Sequence, residues 1–138
     1  GMRAYRRMHD ALRAGGFVFV TLDQGVKRSR DGVPVRFLGK TMSMAAGPAQ
    51  LALRTGAPVL PVFATGYDGA WRFRVEPPLR LDGATLQAAV ATLAHATERH
   101  VLAHPELWTW HHRRWRKQPF AHATIAGGQE GDQRAVPR

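Results

Sequence analysis

The run Phe17-Val18-Phe19-Val20-Thr21-Leu22 limits what this chain can fold into more than any other stretch. It is rich in β-formers and has no polar face, so a strand made from it has to be covered on both sides. Asp23-Gln24-Gly25 ends the run and sets polar side chains at the carboxyl edge of that strand. With 138 residues the chain has room for a single core, which must supply both coverings.

The segments around the run supply helices and further strands. Tyr5, Met8 and Leu12 fall on one helical stripe, with Arg3, Arg6, Arg7 and Arg13 away from it and Gly15-Gly16 as the stop. A second strand is expected over Val33–Leu38, restricted to an edge by Pro34. Gly47-Pro48 opens a short helix that Gly56 caps, and Ala57–Ala64 reads as a third buried strand despite Pro58 and Pro61. Trp71-Arg72-Phe73-Arg74-Val75 alternates with period two, which predicts a hairpin strand with Trp71, Phe73 and Val75 inward. Asp82 is placed to cap the longest helix, in which Leu86, Ala89, Val90, Leu93, Ala94, Thr97 and Val101 recur at three and four. The order α, β, β, α, β, β, α, short α predicts an α/β protein: a three-layer mixed sheet with flanking helices. Residues 1–120 form the domain, and the aperiodic Gly, Gln and Ala of 121–138 read as a disordered tail.

Charge narrows the partners. Twenty Lys and Arg against ten Asp and Glu give a net charge of +10, so nucleic acid, an anionic membrane surface and a phosphorylated substrate are the candidate counterparts. There is no cysteine, which excludes disulfides, thiol catalysis and Cys-ligated metals. No apolar stretch reaches the roughly 20 residues of a spanning helix, so the chain reads as soluble or peripheral.

Motif chemistry narrows it further. Neither Ser29 nor Ser43 stands in a G-x-S-x-G elbow, and Gly15-Gly16 matches neither glycine-rich phosphate loop. His100 and His104 are four apart and could share a helix face, but without an H-E-x-x-H glutamate they read as solvated residues at a helix end. Asp23 has two readings, a strand terminator that accepts loop N–H bonds or a site carboxylate, and Lys27, Arg28 and Arg30 beside it form a cluster for phosphate. Open α/β sheets bind ligands beyond the carboxyl ends of their strands, which draws attention to Asp23-Gln24 and Thr65-Gly66. Trp108, Trp110 and Trp115 with Arg113, Arg114, Arg116 and Lys117 form either a nucleic-acid platform, over residues 108–117, or core anchors at a domain end.

Taken in order, Leu22-Asp23-Gln24-Gly25, Gly32-Val33-Pro34-Val35-Arg36-Phe37-Leu38-Gly39, Ala46–Ala52, Thr55–Val62, the Trp71 hairpin ending Glu76-Pro77-Pro78-Leu79, and Pro105–Arg116 resemble the C-terminal half of the bacterial lipid A lauroyl/myristoyl acyltransferase family. The resemblance covers about residues 3 to 120 and extends to phosphatidylinositol mannoside acyltransferases. It implies a fold similar to glycerol-3-phosphate acyltransferases with the N-terminal part missing. The implied activity is movement of a fatty acyl chain from an acyl carrier protein or acyl-CoA thioester to a glycolipid or lysophospholipid hydroxyl. No other cofactor is implied. The implied location is the cytoplasmic face of the bacterial inner membrane, peripherally bound, with this piece soluble by itself.

Family chemistry rests on an H-x-x-x-x-D/E motif, in which the histidine removes the acceptor's proton and the acid orients the ring. None of the seven histidines here has an acid five residues later, so no catalytic residue is assigned and the chain is expected to be inactive alone. The expected substrate-binding residues are Asp23, Gln24, Lys27, Arg28, Arg30 and Lys40. Arg113, Arg114, Trp115, Arg116 and Lys117 are expected to contact membrane phosphate, and a homo-oligomer or the missing N-terminal half is the expected protein partner. Nucleic acid is the alternative partner, motivated by composition alone.

Overall fold

The computed structural model describes residues 2–23, 26 and 32–110, so Gln24, Lys27, Arg28, Arg30, the 111–117 segment and the 121–138 tail lie outside the described residues. Helix α1 spans Met2–Arg13 and ends in the double closure expected of a glycine stop. Gly16 N–H donates to the Ala11 carbonyl at 2.9 Å and Gly15 N–H to that of Leu12 at 3.1 Å, with Gly15 at φ +80°. No residue of α1 is buried.

Residues 16–21 then run on without a ladder partner among the described residues. Leu22 packs against the core and Val18 is half-buried, but Phe17 is 91% and Phe19 77% exposed. The strand expected over 17–22, covered on both faces, is therefore covered on one.

β1 (Gly32–Phe37) and β2 (Lys40–Ala45) pair antiparallel through a two-residue turn with Leu38 at φ 50° and Gly39 at φ 75°. Positive φ at both positions matches the twist of a tight hairpin, although Leu is an unusual occupant. The Leu38 N–H donates to the Glu98 carboxylate, which holds the turn. At the other end Gly32 lets the strands close: a Cβ there would lie 2.5 Å from Ser43 Oγ and 2.7 Å from the Met44 carbonyl oxygen. Met42, Ser43 and Met44 are all buried, so β2 has no polar side over those residues to mark it in the sequence.

α2 (Gly47–Thr55) follows with Pro48 in its first turn, and Gly56, at φ 70°, closes it by donating to the Ala52 carbonyl. A bridge between Val59 and Leu79 leads into β3 (Val62–Tyr67), which pairs antiparallel with β4 (Trp71–Val75) across a bulge between Ala64 and Gly66. The protein is thus mixed α/β. Its described strands form two separate antiparallel hairpins, however, where the pattern predicts one mixed sheet. The physical reason lies in residues 16–21: a ladder needs a neighbouring strand, and the described residues bring none beside them.

The second correction concerns β4. Trp71, Phe73 and Val75 are expected inward and are instead 61%, 64% and 59% exposed. Arg72 and Arg74 are exposed as well, so β4 buries neither face, and the hairpin packs through Phe63 of β3, stacked on His100.

α3 (Leu86–Ala103) buries Ala89, Val90, Leu93, Ala94, Ala96, Thr97 and Val101, close to the predicted stripe. Its cap is Thr85, whose hydroxyl accepts from Ala88 N–H at 3.2 Å; Asp82 lies in the preceding turn, 4.0 Å from Arg80. A 3-10 turn, Pro105–Leu107, then brings Trp108 against Phe37, ring centroids 6.1 Å apart. Phe37 and Val90 are fully buried at the centre of the core, each side chain contributing about 1.5–3 kcal/mol by leaving water.

Candidate functional site

The two apolar segments that flank the core, residues 17–22 and 57–63, do not meet. Between them lies an open cavity of about 670 Å³, floored by Leu51 and Ala52 of α2 and by Leu93, Ala96 and Thr97 of α3. That volume is within the ~300–1,000 Å³ typical of small-molecule sites. Pro48 of α2 joins Leu51 and Ala52 in the lining. Trp108 closes part of the wall, which makes it a packing residue.

Polar side chains are sparse in this lining. Thr97 is buried and its hydroxyl donates to the Leu93 carbonyl at 3.0 Å, within the helix. Asp23, exposed, is the one ionisable side chain among the described lining residues. Such a cavity can hold a hydrocarbon chain, because nothing along its length demands a hydrogen bond, and its described lining offers one carboxylate.

Of the residues expected to bind substrate, the described part of the chain therefore places Asp23 at the cavity. Lys40 is exposed and pairs with Phe37 at the turn end of the first hairpin, whereas Gly32, at the other end, lies beside Val26. Lys40 is not among the described residues that line the cavity. Thr65, in the bulged stretch of β3, directs its hydroxyl to the Arg72 carbonyl and is not part of the lining.

His100 and His104, expected as solvated residues at a helix end, are instead half-buried. His100 stacks on Phe63 with centroids 4.2 Å apart and planes 10° apart, and His104 follows at 5.1 Å. Burial against this stack is the main cause that lowers the His100 pKa from the usual imidazole value of 6.5, and the neighbouring His104 adds to it. The described histidine–carboxylate pairs are His9–Asp10 at 3.3 Å, His95–Glu98 at 3.7 Å and His104–Glu106 at 3.5 Å, and none of these residues lines the cavity. No group of three or more metal-ligating side chains occurs among the described residues.

The fold and the cavity define a mixed α/β protein with an apolar cleft whose described lining includes one acid, Asp23. The chain belongs to the bacterial lipid A biosynthesis acyltransferase family, whose model matches residues 2–117. It is 34% identical over 87 residues to a phosphatidylinositol mannoside acyltransferase of Mycobacterium tuberculosis strain H37Rv, covering 63% of this chain and 28% of the relative. It is 33% identical over the same length to one of Mycolicibacterium smegmatis, covering 63% and 29%. The match thus spans less than a third of either relative. No described helix is long and apolar enough to cross a membrane.

Proposed function

We propose that this chain is the acyl-holding portion of an enzyme that moves a fatty acyl group from an acyl carrier protein or acyl-CoA thioester to a hydroxyl of a glycolipid or lysophospholipid. The observation that carries the reading is the apolar cavity, with Asp23 in its lining, in a chain of this family. In this proposal the hydrocarbon lies between residues 17–22 and 57–63, and the thioester carbonyl is presented near Asp23. Asp23 and Gln24 face the acceptor, and Lys27, Arg28 and Arg30 take its phosphate. The basic residues Arg113, Arg114, Arg116 and Lys117, with Trp115, meet an anionic bilayer at the cytoplasmic face of the inner membrane. Each such cation near the surface contributes about 1 kcal/mol.

Acyl transfer to a hydroxyl also needs a group that removes the hydroxyl proton as the carbonyl is attacked. The sequence has no H-x-x-x-x-D/E motif, and that supports a chain that binds acyl groups without turning them over. In the three-layer fold of the proposal, the base comes from outside the matched region.

The experiment is titration with a fluorescent long-chain fatty acid, alongside a transfer assay using acyl-thioester and lysophospholipid. Saturable binding that weakens about tenfold in Ala57→Trp, a half-buried wall position, is expected, with transfer no faster than a boiled control. Absence of saturable binding overturns the acyl site, and turnover overturns the missing base. Nothing among the described residues favours nucleic acid: Trp108, the first residue of that platform, is packed on Phe37.

A further inference from the structure

His100 and His104 stand one helical turn apart at the end of α3. The His104 backbone N–H donates to the His100 carbonyl at 2.9 Å, so the pair keeps helical spacing although His104, at φ −137°, has already left the helix. Their ring centroids are 5.1 Å apart, with the planes at 44°. Two imidazoles that share one metal ion through nitrogens at about 2.0–2.1 Å bring their centroids to about 5 Å, so the observed separation suits a chelating pair.

One nitrogen of each ring already faces an acceptor. His100 donates to the Ala64 carbonyl of β3, and Nδ1 of His104 lies 3.5 Å from the Glu106 carboxylate. Ligating histidines share this arrangement, in which an acceptor behind one nitrogen fixes the tautomer and leaves the other nitrogen for the ion. The stack on Phe63, centroids 4.2 Å apart, holds the plane of the His100 ring. Local charge does not oppose a cation here. Arg74 and Glu76 act on His100, Arg99 pairs with Glu76 at 3.1 Å, and Glu106 faces His104, so two cations stand against two acids among the described residues. The +10 excess of the whole chain is therefore not concentrated at this spot.

We infer that His100 and His104 together bind one divalent transition-metal ion, with water in its remaining positions. Imidazole ligands favour Cu²⁺ over Ni²⁺ and Zn²⁺, and they do not retain Mg²⁺ or Ca²⁺, which take oxygen ligands. Neither histidine lines the apolar cavity, so the site is separate from the one proposed for the acyl chain and does not depend on acyl transfer. The bound ion joins the last turn of α3 to the residue that opens the 3-10 turn, where Glu106 supports it.

The test is calorimetric titration of the full, tag-free 138-residue chain with CuCl₂, NiCl₂, ZnCl₂ and MgCl₂, together with electron paramagnetic resonance of the Cu²⁺ form. One tight ion per chain is expected, held most firmly as Cu²⁺ and not taken up as Mg²⁺, with the splitting of two coordinated nitrogens. His100→Asn and His104→Asn are each expected to abolish it. The second variant leaves the Phe63 stack in place and decides the matter should the first unfold. Glu106→Gln, which keeps both ligands, is expected to weaken the ion by about tenfold or more. His95→Asn, on the same helix but beside Glu98, is expected to leave the affinity unchanged. Tight binding that survives His104→Asn overturns the inference and assigns the ion to other imidazoles, such as the adjacent His111 and His112. Absence of saturable Cu²⁺ binding or a one-nitrogen spectrum overturns it as well, and an unchanged affinity in Glu106→Gln overturns the part given to that carboxylate.

Discussion

Leu38 occupies a conformation that costs a β-carbon-bearing residue roughly 1–2 kcal/mol, and the contact that answers this cost comes from sixty residues away. The Glu98 carboxylate accepts the Leu38 N–H, tying the turn of the first hairpin to α3. Removing the acceptor in Glu98→Ala is expected to destabilise the fold by about 1–3 kcal/mol, read from the urea midpoint, because a part-buried donor then has no partner. His100 gives the second expectation at this scale. Its neutral ring is favoured in the fold by burial against Phe63, then by His104; Arg74 acts in the same direction, while Glu76 and a hydrogen bond with the Ala64 backbone oppose it. The folded state therefore takes up this proton at lower pH than the unfolded chain. The contribution is complete above the unfolded value of 6.5 and is lost as pH falls through 6.5 toward the folded pKa. Urea midpoints measured from about pH 7.5 down to about pH 5 should decline on that limb, and His100→Gln should flatten part of the decline.

Among the elements, α3 shows what the sequence could and could not specify. Its buried stripe was legible because Ala89, Val90, Leu93, Ala94, Thr97 and Val101 repeat with helical period. Its start was not, because Asp82 and Thr85 are both good capping types and only the geometry of the Gly83 turn, at φ 72°, chooses between them. Thr85→Ala should cost about 1 kcal/mol in thermal or chemical unfolding, whereas Asp82→Ala, exposed and 4.0 Å from Arg80, should cost less than half of that. β2 was illegible for a different reason. Lys40–Ala45 presents three buried residues in a row, Met42 to Ser43 to Met44, and a Leu-Gly turn carries no hairpin signature. The Trp71 strand had the right period but neither of its faces is buried, since alternation says which side chains travel together but not whether either side meets the core. Asp23 was found at the cavity because a polar residue after an apolar run marks a strand end. The cavity itself is lined by residues of α2, of α3 and of 57–63, and α3, far along the chain from the other two, is brought to them only by the fold.

At the scale of the whole molecule, the core built on Phe37, Val90 and Val101 is covered by α3 and the first hairpin, while the second hairpin and residues 17–21 keep an uncovered apolar side. Stability and solubility are therefore governed by different residues. The double variant Phe17→Ser and Phe19→Ser should leave the unfolding free energy within about 0.5 kcal/mol, since both side chains are mostly in water already. The same variant should raise the concentration at which light scattering begins, because it removes the stickiest part of an unpaired edge. A large loss of stability in that variant would mean that these rings are packed in solution, contrary to their exposure here.

The lack of any buried side chain in α1 carries one further consequence. Arg3, Arg6, Arg7 and Arg13 are all exposed there, and every residue of the buried core cluster comes later in the chain. Trypsin should therefore nick this helix before any other described element and leave a resistant remnant that still unfolds cooperatively. Any protease that cuts at basic residues would find the same handle, so the susceptibility of this chain to cleavage follows how firmly α1 is held against the rest.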